Sequence, residues 1–181
     1  MLRSCLRFVW RCIPRPLRVN TYWLYEKALE KFHEIFDCAI DQYYNVKTGT
    51  QTRYPEIGVD TSELNQDDPY SNVPSAYFSL FRIVRRLQLN TADIIYDLGC
   101  GLGRSLFVFS RCGIERVVGI EFNDMIFQNL SLNVDRFRST SNRIRIKHCD
   151  VLKYDIDPAT IIYMYNPFGG DTMAELVVHI S

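Results

Sequence analysis

The stretch from Ala92 to Phe122 constrains this chain more than any other. A short apolar run, Ile94-Ile95-Tyr96, leads into Asp97-Leu98-Gly99-Cys100-Gly101-Leu102-Gly103-Arg104. Ile94 to Leu98 has the β-branched and aromatic character of a buried parallel strand. The glycines that follow let the backbone turn sharply and approach a ligand with no Cβ in the way. Ser105 to Cys112, with Leu106, Phe107, Val108 and Phe109, suits a helix packed on a sheet, and Gly113 stands where a helix-ending glycine belongs. Arg116 to Glu121 reads as the next strand. A strand, a glycine turn, a helix and an acid closing the second strand make a nucleotide-binding βαβ unit, with the carboxylate placed to accept from ribose hydroxyls.

Spacing narrows the ligand. A dinucleotide site wants G-x-G-x-x-G, with pyrophosphate on the helix N-terminus, whereas this turn is G-x-G-x-G preceded by Asp97. An acid beside the turn repels a pyrophosphate and favours a ligand carrying an amino group or a sulfonium. A nicotinamide-dependent oxidoreductase is disfavoured on both counts. The stretch resembles the first motif, (D/E)-x-G-x-G-x-G, of the class I, Rossmann-like S-adenosylmethionine-dependent methyltransferases, and the resemblance covers roughly the second half of the chain.

That resemblance implies an α/β fold: a three-layer α/β/α sandwich on a mostly parallel sheet of strand order 3-2-1-4. It implies S-adenosyl-L-methionine as cofactor, with Asp97, Gly99, Gly101 and Glu121 on its amino-acid and ribose parts and Arg104 near its carboxylate. Asp150 would accept from the adenine amino group, and Cys100, Gly103, Phe122 and Val151 join the same set. Asp150 is also readable as a plain turn residue at a strand end.

A fourth strand, Ile161 to Tyr165, delivers Asn166-Pro167-Phe168-Gly169-Gly170 to the same rim. The turn is similar to the (N/D/S)-P-P-(Y/F) motif of methyltransferases that modify planar amino groups. There the Asn oxygen and a backbone carbonyl accept the target N–H hydrogens and the aromatic ring stacks on the target. A conjugated amino nitrogen is a poor nucleophile until hydrogen bonds draw its lone pair out of conjugation and aim it. One proline is missing here, so Asn166 and Phe168 are a residue closer together than in that motif. A strand-terminating N-P turn with a packing Phe is the alternative.

The remaining chain supplies scaffolding. Residues 1–18 carry five arginines and no acid before Pro14 and Pro16 stop any helix. Three functional readings stay open, an amphipathic anchor, a nucleic-acid arm and an organelle presequence, beside a poorly ordered basic terminus. From Asn20, a cap candidate with Thr21, to Tyr44 the pattern is helical. Leu24, Ala28, Phe32, Ile35, Phe36, Ala39, Ile40 and Tyr43 form its apolar stripe. Glu26, Glu30, Glu34, Asp37 and Asp41 line another, solvated face, and Tyr22, Trp23 and Tyr25 are expected to pack onto the body.

Residues 45–73 are loop-like, and Gly58-Val59-Asp60-Thr61, followed by Tyr70 and Pro74-Ser75-Ala76-Tyr77, resembles the cofactor entrance of a bacterial branch of the same family. A helix from Pro74 or Ser75 to Leu87 follows. Asn123-Asp124 opens another helix, and Arg143 to Lys147 alternates as a third strand at a sheet edge. Residues 1–73 thus form an extension of arm, helix and loop, and residues 74–181 the cofactor-binding domain.

Twenty-one basic and 21 acidic side chains balance, so net charge draws the chain to neither nucleic acid nor membrane. Six cysteines show no C-x-x-C pairing and no metal-ligand spacing, which reads as reduced thiols in the cytoplasm. No apolar run approaches a membrane span. The family fold carries seven strands and the chain signals four. It is therefore expected to be a fragment, to take a partner chain at the exposed edge, or to act as a non-catalytic module.

Overall fold

The computed structural model describes residues 15–49, 74–137, 141–165, 167 and 170–179. Residues 1–14 of the Arg-rich start, the segment Gly58-Val59-Asp60-Thr61 with Tyr70, and Asn166 and Phe168 lie outside them. Two compact units divide between Phe36 and Asp37. Residues 37–49 fall in the second of them.

Helix α1, Arg15–Tyr44, starts earlier than expected. Pro16 falls in its first turn, where a missing N–H costs nothing, so it begins the helix instead of stopping it. Asn20 and Thr21 lie inside the helix and are not its caps. Within the first unit, Trp23, Leu24, Phe32 and Ile35 are exposed, each above half its full surface. Tyr25 is exposed as well.

In the second unit the last turns of α1 invert the expected orientation. Asp37 and Asp41 are buried at 4% and 9% exposure while Tyr43 stands at 65%. Asn45, at φ 59°, ends the helix in the left-handed region that Asn tolerates. The chain then docks through Asn133, whose Oδ1 accepts from Lys47 N and whose Nδ2 donates to the carbonyls of Lys47 and Leu102.

Helix α2, Tyr77–Val84, buries Tyr77 and Leu80 and leaves Phe78 exposed. The sheet follows: β1 Ile94–Leu98, α3 Arg104–Ser110, β2 Arg116–Glu121, α4 Asp124–Arg136, β3 Ile144–His148, β4 Ile161–Tyr163 and α5 Gly170–His179. All four strands are parallel in the order β3-β2-β1-β4. Register places Asp97 beside Gly119 and Tyr163, and Glu121 beside His148. The first two acids and the ends of β3 and β4 thus share one rim of the sheet.

Helices cover both faces. On one, Tyr96, Leu98, Val118 and Ile120 pack with Val151, Ile156 and α5 Leu176. On the other, α3 presses so closely on β2 that a Cβ on Gly119 would stand 2.6 Å from Leu106 Cδ1 and 2.7 Å from Cys100 Sγ. The edge strands differ from the core strands as burial requires: β3 alternates and β4 is only partly covered, whereas β1 and β2 are buried almost throughout.

Candidate functional site

The turn between β1 and α3 holds Gly99, Gly101 and Gly103 all at positive φ. Gly103 is the most demanding, since at φ 88° an added Cβ would lie 2.5 Å from buried Leu130 Cδ1. The turn is tied to β2 by Gly99 N and Cys100 N, which both donate to the Ile120 carbonyl at 2.9 and 3.0 Å.

Glu121 closes the arrangement. Its Oε2 accepts from Gly101 N at 3.0 Å and its Oε1 from Asn123 N at 2.9 Å, so the carboxylate bridges the glycine turn and the start of α4. Burial pushes its pKa above the ordinary carboxylate value, opposed by the backbone N–H groups that surround it. Each oxygen keeps a further lone pair for a ligand hydroxyl. Phe122, directly after it, is 71% exposed.

Asp97 is buried behind the turn and accepts from the Ser105 hydroxyl. Its carboxyl is pushed up to about 7, chiefly by burial and further by the Glu121 charge, with the Ser105 hydrogen bond pulling the other way. It faces a cavity lined also by Thr48, Ser75, Gly99, Cys100, Arg104, Tyr163 and Tyr165. Tyr163 Oη and Ser75 Oγ share a hydrogen bond of 2.6 Å across the mouth of β4.

Arg104 lines the same cavity yet is 3% exposed. Its Nη1 pairs with Asp37 Oδ2 at 2.5 Å and reaches the Ser75 carbonyl at 3.3 Å, and its Nε donates to Thr48 Oγ1 at 2.7 Å. The guanidinium lies 4.7 Å from the Tyr77 ring centroid. Asp150, half-buried at the β3 rim, caps the 3-10 turn Val151–Lys153 by accepting from Leu152 N at 3.0 Å. One of its oxygens is thus already in use as a turn residue's would be. Val151 is buried in the core beside it. Pro167 follows β4, but its neighbours Asn166 and Phe168 are outside the described residues.

The structure therefore brings Asp97, the three glycines, Cys100, Arg104 and Glu121 together at one rim. It adds Asp37, Asp41, Thr48, Ser105 and Tyr163, which the sequence pattern passed over, and Ser75 from the segment that resembles a cofactor entrance. A signal for two of them existed. Asp37 and Asp41 are one turn apart, with Tyr44 on the same face, beneath an Arg104 that has no acid on its own helix.

Among the described residues no group of three or more His, Cys, Asp or Glu is arranged to hold a metal ion, and no helix is long and apolar enough to cross a membrane. Cys38, Cys100, Cys112 and Cys149 are unbridged.

Against known proteins, no family model matches the chain. A protein-lysine N-methyltransferase of Saccharolobus islandicus is 29% identical over 89 residues, which is 46% of this chain and 55% of that relative. The chain thus spans about half the length of the curated relative it matches. Among crystal structures, the glycopeptide N-methyltransferase MtfA with sinefungin superposes with a TM-score of 0.51 at 13% identity, covering 70% of this chain and 52% of that one. The YcgJ protein of Bacillus subtilis gives 0.50 at 15%, covering 57% and 44%. The parallel sheet, its strand order and the glycine turn define a class I, Rossmann-like fold. It is the fold of the S-adenosylmethionine-dependent methyltransferases.

Proposed function

We propose that the chain binds S-adenosyl-L-methionine and serves in transfer of its methyl group to an amino nitrogen. The observation that carries this reading is the pair of buried acids at the turn. Asp97 and Glu121 flank glycines that leave no Cβ over the strand ends, and that pair accommodates a cationic ligand with ribose hydroxyls where a pyrophosphate would be repelled.

The residues fit each part of the cofactor. Glu121 would accept from the ribose hydroxyls, Asp97 would face the ammonium group, Arg104 the carboxylate, and Phe122 with Asp150 and Val151 the adenine. Cys100 and Gly103 shape the turn beneath it. The cofactor supplies a methyl group already activated on a sulfonium, so neither a metal nor a covalent nucleophile is required of the chain. The residues' task is to hold, orient and desolvate.

An amino nitrogen is favoured by the lysine N-methyltransferase relative and by Asn166-Pro167-Phe168 after β4, whose Asn oxygen would hold an acceptor N–H and whose ring would stack against it. Asn166 would hold the acceptor nitrogen with its lone pair toward the methyl group that the bound cofactor would supply, and the proton that the nitrogen gives up would pass to solvent.

Calorimetry with S-adenosylhomocysteine tests the cofactor reading. Binding to the wild type, weakened in Glu121→Ala, supports it; binding of NAD alone, or of neither, overturns it. Incubation with methyl-labelled cofactor and cell extract tests the transfer. Binding without transfer to any acceptor would make the chain a cofactor-binding module and not a complete enzyme.

A further inference from the structure

The buried cation at the site is over-determined by residues that lie outside the βαβ unit. A guanidinium has five N–H groups. Those of Arg104 are directed by three oxygens from three segments: Thr48 Oγ1 on Nε, and Asp37 Oδ2 with the Ser75 carbonyl on Nη1. Among the described residues, Nη2 has no acceptor. A guanidinium buried to this degree, on the wall of a cavity, with one nitrogen unsatisfied, is set to donate to a ligand oxygen.

The oxygens that hold it are themselves held. Thr48 Oγ1 donates to Asp41 Oδ1 at 2.6 Å, which turns a lone pair of the hydroxyl toward Arg104. Thr48 N donates to Asp41 Oδ2 at 2.8 Å, and Tyr77 Oη to Asp41 Oδ1 at 2.7 Å. Tyr77 N donates to Asp37 Oδ1 at 3.0 Å, and the Tyr77 ring lies against the guanidinium. Every strong acceptor in this frame is in use, and Asp37 does not line the cavity.

We propose that Asp37, Asp41, Thr48 and Tyr77 are positioning residues that aim Nη2 of Arg104 at the carboxylate of the cofactor's amino-acid moiety. The proposal rests on the cofactor reading above. It makes the end of α1 and residues 45–48 part of the cofactor site, although they precede the nucleotide-binding unit by some fifty residues of sequence. A charge-assisted hydrogen bond from Nη2 to a carboxylate oxygen depends on direction, so loosening one anchor costs affinity for a carboxylate and leaves a ligand without one unaffected.

The full 181-residue chain is titrated by calorimetry with S-adenosylhomocysteine and with 5′-methylthioadenosine. Both probes carry adenosine and sulfur, and only the first carries the amino-acid carboxylate. Asp37→Asn offers one acceptor where two oxygens are used, and Thr48→Val removes the Nε acceptor with no change of charge. Each is expected to weaken S-adenosylhomocysteine about tenfold or more and to leave 5′-methylthioadenosine within about twofold.

Equal weakening of both probes would make the frame merely structural and overturn the proposal while leaving the cofactor reading intact. Tighter S-adenosylhomocysteine binding in Asp37→Asn would show that Asp37 only neutralises Arg104, which also overturns it. A wild type that binds neither probe would sink the cofactor reading and the proposal with it. Should Asp37→Asn fail to fold, the isosteric and uncharged Thr48→Val decides between these outcomes.

Discussion

Binding of S-adenosylhomocysteine should depend on pH through Asp97, and the size of the effect follows from where that residue sits. In the free protein burial and the neighbouring Glu121 hold its pKa up to about 7. A ligand ammonium placed against it favours the ionised form, so binding releases a proton wherever Asp97 is still protonated. With a free-state pKa near 7, roughly nine-tenths of the groups are ionised at pH 8 and roughly one-tenth at pH 6. The association constant should therefore fall about tenfold between those two pH values, equivalent to ~1.4 kcal/mol. Titrations in buffers of different ionisation enthalpy should register close to one proton released per ligand at pH 6. In Asp97→Asn the dependence should vanish. An affinity that is flat from pH 6 to 8, or proton uptake on binding, would refute the placement of Asp97 against the ammonium group.

The same shift has a consequence for stability, with a definite sign. The folded pKa lies above the unfolded value of 3.8, so the contribution of Asp97 is fully present below about pH 4. It is lost as pH rises toward 7, because the unfolded chain ionises first. A shift of this size is worth on the order of 4 kcal/mol. Asp97→Asn keeps an acceptor for the Ser105 hydroxyl and should raise the melting temperature of the ligand-free chain at pH 8, even as it weakens the ligand.

Three further changes read other parts of the site. Glu121→Gln leaves one acceptor oxygen where Gly101 N and Asn123 N use two, and should weaken S-adenosylhomocysteine by about 1.5 to 3 kcal/mol per lost bond, measured calorimetrically. Gly103→Ala must adopt φ 88° and push Leu130 aside, so chemical denaturation should show a loss of about 2 to 4 kcal/mol. Asn133→Leu strips Lys47 N, Lys47 O and Leu102 O of their buried partner, and should lower the unfolding free energy by about 3 kcal/mol. An unchanged denaturation midpoint in either variant would mean that the described packing is wrong there.

The legible part of this fold was the part governed by local rules. Ile94 to Glu121 declared a strand, a turn, a helix and a strand because each glycine position has a single backbone reason and each apolar run a single period. The order β3-β2-β1-β4 is the one that the resemblance carried by this turn implies. The partial burial of β3 was visible in the alternation of Arg143 to Lys147.

The misread part was the end of α1. Helical periodicity assigns acids to water by default, and Glu30 and Glu34 obey it, each paired with a lysine one turn earlier on an exposed face. Asp37 and Asp41 break the rule because Arg104, Thr48 and Tyr77 meet them from segments up to 67 residues away. The one-turn spacing of Asp37, Asp41 and Tyr44 marks a shared face, but no window of local sequence contains the partners that bury it.

Charge around the turn then explains why such an arrangement is tolerated. Asp37, Asp41, Asp97 and Glu121 are all buried, and Arg104 is the buried cation among them. Burying carboxylates costs heavily unless each is hydrogen-bonded or paired. Asp37 has the ion pair, and Asp41 and Glu121 have two and more donors apiece. Among the described residues Asp97 has the Ser105 hydroxyl as its hydrogen-bond partner, and it is the carboxyl whose proton is held to about 7. The residual cost is thus concentrated at the one acid that faces the cavity, where a cationic group would relieve it. Stability given up at Asp97 in the free chain returns as affinity when a cation binds there, which is the expected physics of a preorganised site for a cationic ligand.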